Sequence, residues 1–96
     1  MYKRQVLHQR VRLAIVSILI KVKKVDFSYL KERTNTTQGN LSHQLKKLKA
    51  ANYIKIEKTF ENNYPKTFCS LTPQGKAAFE KYVEQMKFYL NLNQHD

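Results

Sequence analysis

Short polar side chains and lysines are concentrated in one stretch of the sequence, Thr36 to Tyr53. Leucines recur there at spacings of four and three, at Leu41, Leu45 and Leu48, which predicts a helix with one buried stripe. The opposite side carries small hydrogen-bonding groups first and long cations later: Gly39, Asn40, Ser42, His43, Lys46 and Lys47. A helix end that enters the major groove of DNA places short groups against base edges and long cations against phosphates. An ordinary solvated helix face is the alternative, which this segment by itself does not exclude.

The polar side of this helix divides by the reach of its side chains. We expect contacts with base edges from its first two turns, at Gln38, Asn40, Ser42 and His43. We expect contacts with phosphate from a capping threonine and two lysines, Thr37, Lys46 and Lys47. His43 is favoured as a base or phosphate donor over a core histidine or metal ligand, because no second ligand stands at metal spacing.

A β-hairpin is predicted directly after this helix. Apolar residues alternate with polar ones from Tyr53 to Lys58 and again from Thr67 to Leu71, and Asn62 to Pro65 forms the intervening turn. A hairpin in this place can lie as a wing along the sugar-phosphate backbone or reach a minor groove. We expect phosphate contacts from its cations, Lys55, Lys58 and Lys66. A purely structural hairpin is the alternative.

Charge and length narrow the class of partner. The 96 residues predict one small domain, and 18 basic against seven acidic residues give a formal net charge of +11. Such an excess attracts polyanions, with double-stranded DNA as the leading partner. A membrane is not expected, because the longest apolar run, Leu13 to Ile20, is too short to span one and is flanked by cations. The run also lacks a cleavage site, so a cytoplasmic protein is predicted.

The sequence offers no arrangement of residues typical of an enzyme. No serine or cysteine has an identifiable base partner, and no glycine-rich phosphate loop is present. The single cysteine, Cys69, excludes an internal disulfide and is expected to be a small buried hydrophobe rather than a redox switch. We therefore predict no catalytic residues, no metal site and no cofactor, and leave an organic effector at a dimer interface open.

Three further helices are predicted around this centre. The first runs from about Gln9 to Val22 and is apolar on two sides. A short second helix, from Phe27 to about Arg33, has Asp26 as its N-cap. The last helix opens at Thr72-Pro73 and runs to about Leu92.

The first and last helices carry more apolar surface than so small a domain needs for its own core. We expect the surplus to form a two-fold contact between two copies of the chain. The residues predicted for this dimer interface are Leu13, Val16, Ile20, Tyr82, Met86, Tyr89 and Leu90.

The order of several short motifs resembles the small winged-helix transcriptional regulators of the MarR and ArsR groups. The motifs are H-Q-R-V-R-L-A-I (His8 to Ile15), D-F-S-Y-L-K (Asp26 to Lys31), G-N-L-S-H-Q-L-K-K-L (Gly39 to Leu48), Y-I-K-I-E-K-T-F (Tyr53 to Phe60), P-K-T (Pro65 to Thr67) and L-T-P-Q-G-K-A-A-F (Leu71 to Phe79). The resemblance implies a homodimeric DNA-binding regulator with the third helix in the major groove and a wing made by the hairpin. Asn52 departs from the usual glycine, and Gln9 and Arg10 stand where proline is frequent.

The sequence as a whole predicts an α+β, mainly helical winged helix-turn-helix with the order helix-helix-helix-strand-strand-helix and a long C-terminal helix. The predicted function is sequence-specific regulation of transcription by a dimer bound to an inverted-repeat operator. Two alternatives remain: a winged helix that binds nucleic acid without sequence preference, and one that serves as a protein-interaction module.

Overall fold

Helices and strands alternate in an order close to the one that the sequence predicts. The computed structural model describes residues 6–94, with side chains up to residue 91, so both ends of the predicted 1–96 domain lie outside the described part. A short 3-10 turn, Val6–His8, precedes the first helix. The elements are α1 (Arg10–Leu19), β1 (Val25–Asp26), α2 (Phe27–Thr34), α3 (Gln38–Ala50), β2 (Ile54–Glu61), β3 (Tyr64–Leu71) and α4 (Pro73–Gln94).

Helix α1 is shorter than predicted. Gln9 caps its start, where the side-chain oxygen accepts a hydrogen bond of 2.8 Å from the backbone N–H of Arg12. The helix ends at Leu19, and the backbone N–H of Lys21 donates to Ile18 in a tighter turn. The predicted end at Val22 is wrong: Val22 is 42% exposed, because the chain has already turned toward β1.

Strand β1 is an element that the sequence prediction missed. Its two residues pair with β3 in antiparallel register, Val25 with Cys69 and Asp26 with Phe68, and complete a three-stranded sheet of order β1-β3-β2. Two residues are too few to show an alternating pattern, so only the tertiary pairing reveals this strand.

The helix-turn-helix has the capping predicted for it. The Asp26 carboxylate accepts from the backbone N–H of Tyr29 at 2.8 Å, and the Thr37 hydroxyl accepts from the N–H of Asn40 at 3.1 Å. Asn35 ends α2 in the left-handed conformation, with φ 52° and ψ 51°. Asn35 and Thr37 thus end α2 and begin α3 within a connection of three residues, Asn35 to Thr37.

The core lies between the helices and the inner face of the sheet. Leu41, Leu45 and Leu48 are at most 3% exposed, which confirms the predicted stripe of α3. Val16 is fully buried in the same core, so its predicted place in a dimer interface is wrong. The second apolar side of α1 is thus covered partly by the chain itself, whereas Leu13 and Ile20 stay half-buried.

The hairpin is longer than predicted and turns more sharply. Its two-residue turn is Asn62-Asn63, with φ of 52° and 68°, as a type I′ turn requires. Tyr64 and Pro65 were expected in the turn, but they belong to β3. Proline is tolerated there because β1 stops at the level of Phe68, so β3 has only one neighbouring strand at Pro65.

One small junction joins α3, β2, β3 and α4. The Thr72 hydroxyl donates to the carbonyl of Asn52 at 2.8 Å and accepts from the N–H of Gly75 at 2.9 Å, so it caps α4 as predicted. The N–H of Thr72 donates to the carbonyl of Tyr53 at 3.0 Å. Asn52 is left-handed, with φ 63°, as expected from its tolerance of that region.

The two glycines of the chain should respond oppositely to alanine. A methyl group on buried Gly75 would overlap the carbonyl oxygen of Tyr53, so we expect Gly75→Ala to lower the free energy of unfolding by roughly 1–3 kcal/mol. Gly39→Ala is the matched control, because nothing lies within 4 Å of its added methyl group. Because alanine has a higher helix propensity than glycine, Gly39→Ala should raise the free energy of unfolding by up to about 1 kcal/mol. Urea denaturation measures both, and equal stability of the two variants would contradict this account of the junction.

Candidate nucleic-acid interface

The exposed side of α3 presents a continuous row of polar groups. At 100° per residue, Gly39, His43 and Lys46 point most directly away from the buried leucines. Ser42 lies on one flank of this row, and Asn40 and Lys47 lie on the other. Gln38, the first residue of the helix, is exposed although it lies on the side of the leucine stripe. Because Gly39 has open space around it, a ligand can approach the backbone of the first turn closely.

The four predicted base-reading residues differ in how freely they can reach a ligand. Gln38 and His43 are exposed, whereas Ser42 and Asn40 are half-buried. All four lie in the first two turns of α3, beside the positive end of the helix. The structure thus places them together on the exposed part of one helix, as the sequence indicated, and their contacts with bases remain a prediction.

Asn40 is held by a chain of hydrogen bonds that extends back to α1. Its amide nitrogen donates to the Thr36 hydroxyl at 2.8 Å, and its amide oxygen accepts from Gln44 at 3.0 Å. Gln44 is only 7% exposed and in turn accepts from the Arg12 guanidinium at 3.1 Å. Arg12 also donates to the carbonyl of Val6 at 2.8 Å. Asn40 therefore has one free hydrogen and limited acceptor capacity left, and it positions α3 as well as facing outward.

The predicted phosphate contacts of α3 have suitable exposure. Lys46 is exposed on the outward row, and Lys47 is exposed on its flank in the last turn of the helix. Thr37 is exposed at the N-cap, where its oxygen already accepts from Asn40, so its own hydroxyl hydrogen is left for a phosphate. Lys49 adds a further exposed cation in the last turn.

Lys66, one of the three predicted wing lysines, is tied to two carboxylates. Its Nζ lies 3.4 Å from Glu61 and 3.4 Å from Asp26. Hydrogen bonding and charge attraction from Glu61, and then from Asp26, raise the pKa of Lys66 above its ordinary value. The cation is fully charged but locally neutralised, so it fixes the hairpin to the cap of α2 rather than presenting a free charge to phosphate.

Lys55 and Lys58 lie at different distances from the tip of the wing. Lys55 pairs with Ser70 at the base of the hairpin, seven residues and therefore about 23 Å of strand from Asn62. Lys58 pairs with Thr67 halfway along and is exposed. Within the described residues, Lys58 is the only one of the three predicted wing lysines that combines a position beyond the base with freedom from an ion pair.

A comparison with protein families decides what this arrangement is. The model of the winged helix DNA-binding domain family matches residues 11–90, which include α3 and the whole hairpin. The chain belongs to this winged-helix family. The winged-helix protein is also 36% identical over 76 residues to an uncharacterised protein of Methanocaldococcus jannaschii, a match that covers 79% of this chain and 83% of the relative.

Solved structures of transcriptional regulators share the fold of this winged-helix protein. A transcriptional regulator homologue from Pyrococcus horikoshii superposes with a TM-score of 0.86 at 25% identity, over 93% of this chain and 88% of its own. A PadR family regulator from Clostridium difficile gives 0.78 at 22% identity, over 90% and 97% of the two chains. A MarR family protein from Enterococcus faecalis gives 0.80 at 18% identity, over 93% and 80%. The predicted fold class and the resemblance to winged-helix transcriptional regulators are confirmed.

The sequence prediction did not single out Arg12 or Gln44 of the winged-helix protein. The spacing of four between Asn40 and Gln44 is a local signal for a hydrogen bond on a helix and was available from the sequence. The separation of 32 positions between Arg12 and Gln44 carries no such signal. Lys24 was also missed; it lies 4.8 Å from the ring centroid of Phe68 and 4.0 Å from Glu57, beside the base of the wing.

Cys69 and the remaining chemistry-bearing groups form no second site. Cys69 is fully buried in the core, as expected, and burial raises the pKa of its thiol to about 11. The thiol is therefore protonated and poorly nucleophilic at neutral pH. In the part of the chain that the structure describes, no three His, Cys, Asp or Glu residues come together to hold a metal. No helix among the same residues is long and apolar enough to cross a membrane.

The hydrogen bonds of Gln44 should contribute measurably to stability. Gln44→Met keeps the length of the side chain but leaves Arg12 and Asn40 without their buried partner, so we expect a loss of about 1–3 kcal/mol in the free energy of unfolding. Gln38→Met, at an exposed position of the same helix, should change it by less than about 0.5 kcal/mol. Thermal and urea unfolding compare the two variants, and similar values for both would show that the chain of hydrogen bonds does not hold α3 in place.

Proposed function

We propose that this winged-helix protein is a sequence-specific transcriptional regulator that binds an inverted-repeat DNA operator as a homodimer, with α3 in the major groove. The observation that carries the proposal is the exposed row on α3, where short polar groups occupy the first two turns and lysines follow. A regulator of transcription acts on DNA, which agrees with the cytoplasmic location that the sequence predicts.

The composition of α3 favours sequence-specific binding over binding without sequence preference. Phosphate contacts alone need only cations, which the chain has in excess. The amide of Gln38 and the imidazole of His43 are instead groups that discriminate hydrogen-bond donors and acceptors on base edges. Both are exposed at the end of α3 that a major groove admits.

The same face argues against a module that binds mainly other proteins. The cores of protein interfaces are depleted in lysine and enriched in aromatic residues. The exposed row of α3 instead ends in Lys46, flanked by Lys47 and Lys49, and has no aromatic side chain. Its charge and its hydrogen-bonding groups suit a polyanion.

Helix α4 supplies the surface on which we place the contact between two copies. Its first half packs against the core through Ala78, Phe79 and Tyr82. The same stripe continues at helical spacing to Met86 and Leu90, which are 37% and 56% exposed. An apolar stripe that is covered in one half and open in the other is the pattern expected where a second copy completes the packing.

Two copies are also what the size of the interface on DNA requires. One recognition helix covers only a few base pairs, and useful specificity follows when two such helices lie about one DNA turn apart, roughly 34–36 Å. Helix α4 has 22 residues and is therefore about 33 Å long, so its second half reaches well past the body of the domain. In this arrangement the half-buried Tyr82, Leu13 and Ile20 would border the contact, and Tyr89 would lie within it.

Base readout is tested by alanine substitution at Gln38, Ser42 and His43. Each variant should lose about 1–3 kcal/mol of binding free energy on the preferred site and much less on random DNA. The preferred site is first obtained by selection from a random DNA pool, and fluorescence anisotropy then measures affinity on both DNAs. Equal losses on the two DNAs would contradict base readout. Asn40→Ala should in addition lower stability, because it breaks the hydrogen bond to Gln44.

Lysines of the interface should behave differently in the same experiment. Lys46→Ala, Lys47→Ala and Lys58→Ala should each reduce the dependence of log affinity on log salt by roughly one phosphate contact and leave site preference intact. Lys66→Ala should change the slope less, since two carboxylates already neutralise Lys66. A slope that is unaltered in the first three variants would remove these lysines from the interface.

Assembly is tested by changing the open half of the α4 stripe. Replacing Met86 and Leu90 with glutamate should give a folded monomer with greatly weakened operator binding. The matched control replaces Gln85 and Asn91, exposed residues off the stripe, with glutamate and should remain a dimer. Sedimentation equilibrium at micromolar concentration reports the state of each. An unaltered protein that is already monomeric, or a stripe variant that stays dimeric, would contradict this placement.

A further inference from the structure

The tip of the wing, from Thr59 to Pro65, is aromatic and carries no lysine or arginine. Between Thr59 and Pro65 the only charged residue is Glu61, whereas Phe60 and Tyr64 are 74% and 72% exposed. A tip that only followed the sugar-phosphate backbone would be expected to carry cations. Two large apolar rings that stay exposed on a protruding hairpin need another explanation.

The strand register places these two rings on opposite faces of the hairpin. Directly opposed residues of an antiparallel pair share a face, and alternate residues along a strand do so as well. Phe60 opposes Pro65 and lies on the same face as Ile54 and Cys69, the face that packs against the helices at its base. Tyr64 opposes Glu61 on the outer face.

Charge separates the two faces in the same way. The carboxylates of β2, Glu57 and Glu61, both lie on the outer face, where they accompany Tyr64. On the helix-side face, the charged residue of β2 is Lys58, which is exposed and adjacent to Phe60 on that face. On the outer face near the tip Glu61 is paired with Lys66, so the unpaired cation of the wing that lies nearest the tip, Lys58, attracts a polyanion to the face that carries Phe60.

The hairpin projects far enough for its tip to reach a ligand beyond the body of the domain. Ile56 is the outermost residue of β2 that is even half-buried, and Asn62 at the turn lies six residues further, which is about 20 Å of strand. Its two-residue turn makes the tip narrow. A single side chain at such a tip can enter the minor groove, which is roughly 6 Å wide and 7.5 Å deep.

We propose that Phe60, backed by Pro65, is an apolar wedge that enters the minor groove beside each half-site and partly unstacks one base step. The inference rests on the proposed function and adds a second source of specificity to it. Apolar side chains that insert between bases kink the duplex, and pyrimidine–purine steps such as TA and CA yield most easily. The wing then selects deformable sequence without hydrogen bonds to bases, while Lys58 holds the adjacent phosphate.

Phe60→Ala and its matched control Tyr64→Ala test the wedge on the selected operator. Because the wedge and the bend act together, Phe60→Ala should weaken binding roughly tenfold and reduce the bend measured by fluorescence energy transfer between the DNA ends. It should also lose the preference for a TA or CA step over a GC step at the flank. Tyr64→Ala, on the opposite face of the hairpin, should stay within about twofold of the unaltered protein in affinity.

Two further measurements separate a wedge from other roles of the ring. Phe60→Ala removes no cation, so its affinity loss should leave the salt dependence unchanged, whereas Lys58→Ala should reduce it. Phe60→Leu keeps an apolar wedge and should retain most of the bend, which also guards against a general loss of structure in the alanine variant. Circular dichroism checks that all variants are folded.

The outcomes distinguish this inference from the function on which it rests. Binding and bending by Phe60→Ala equal to those of the unaltered protein would overturn the wedge and leave the regulator intact. Equal losses of DNA-binding affinity in Phe60→Ala and Tyr64→Ala would overturn the assignment of the faces. If Phe60→Ala lost dimerisation or a protein partner without any change in DNA bending, Phe60 would belong to a protein contact instead. A protein that binds no duplex DNA would overturn the proposed function and the wedge together.

Discussion

The position of the wing relative to α3 depends on the junction at Thr72. One hydroxyl group there donates to the carbonyl of Asn52, at the end of α3, and accepts from Gly75, in the first turn of α4. The adjacent N–H of Thr72 holds the carbonyl of Tyr53 at the start of β2. Since four elements end or begin within this small space, only a residue without a side chain fits at Gly75. The hairpin can then support a protruding tip, because its base is fixed to the end of α3.

The residues at which the backbone becomes left-handed share one side-chain type. The non-glycine residues with positive φ in the described part of the chain are all asparagines: Asn35, Asn52, Asn62 and Asn63. Asparagine tolerates the left-handed region better than other side chains, because its short amide can hydrogen-bond locally. It ends α2, ends the turn after α3 and makes both residues of the hairpin turn. The usual glycine after α3 is therefore not needed, and neither glycine of the chain has a positive φ; Gly75 instead allows close approach to the carbonyl of Tyr53.

Net charge and local charge play different parts. A formal charge of +11 favours attraction of the whole molecule to a polyanion such as DNA. Whether an individual lysine is free to contact a phosphate depends on the side chains beside it. Lys66 is held by Glu61 and Asp26, and Lys24 lies over Phe68 and near Glu57, so both stabilise the attachment of the wing to the helix-turn-helix. The contacts with DNA that we propose are therefore those of the row on α3, its flanking lysines and Lys58. The proposed wedge follows from the same division, because a tip without free cations contributes through its ring.

The sequence by itself determined the elements whose signals are local. The leucine stripe of α3, the caps at Asp26, Thr37 and Thr72, and the strands of the hairpin depend on residues within a few positions of each other, where helix and strand periodicity act. The family resemblance depends on the order of such local motifs along the chain. Only the tertiary structure decided which residues distant in the sequence contact a given side chain. It shortened α1, added β1 opposite Cys69, buried Val16, withdrew Lys66 into ion pairs and joined Asn40 through Gln44 to Arg12. These outcomes depend on groups brought together from distant parts of the chain, and no spacing along the sequence encodes their distances in space.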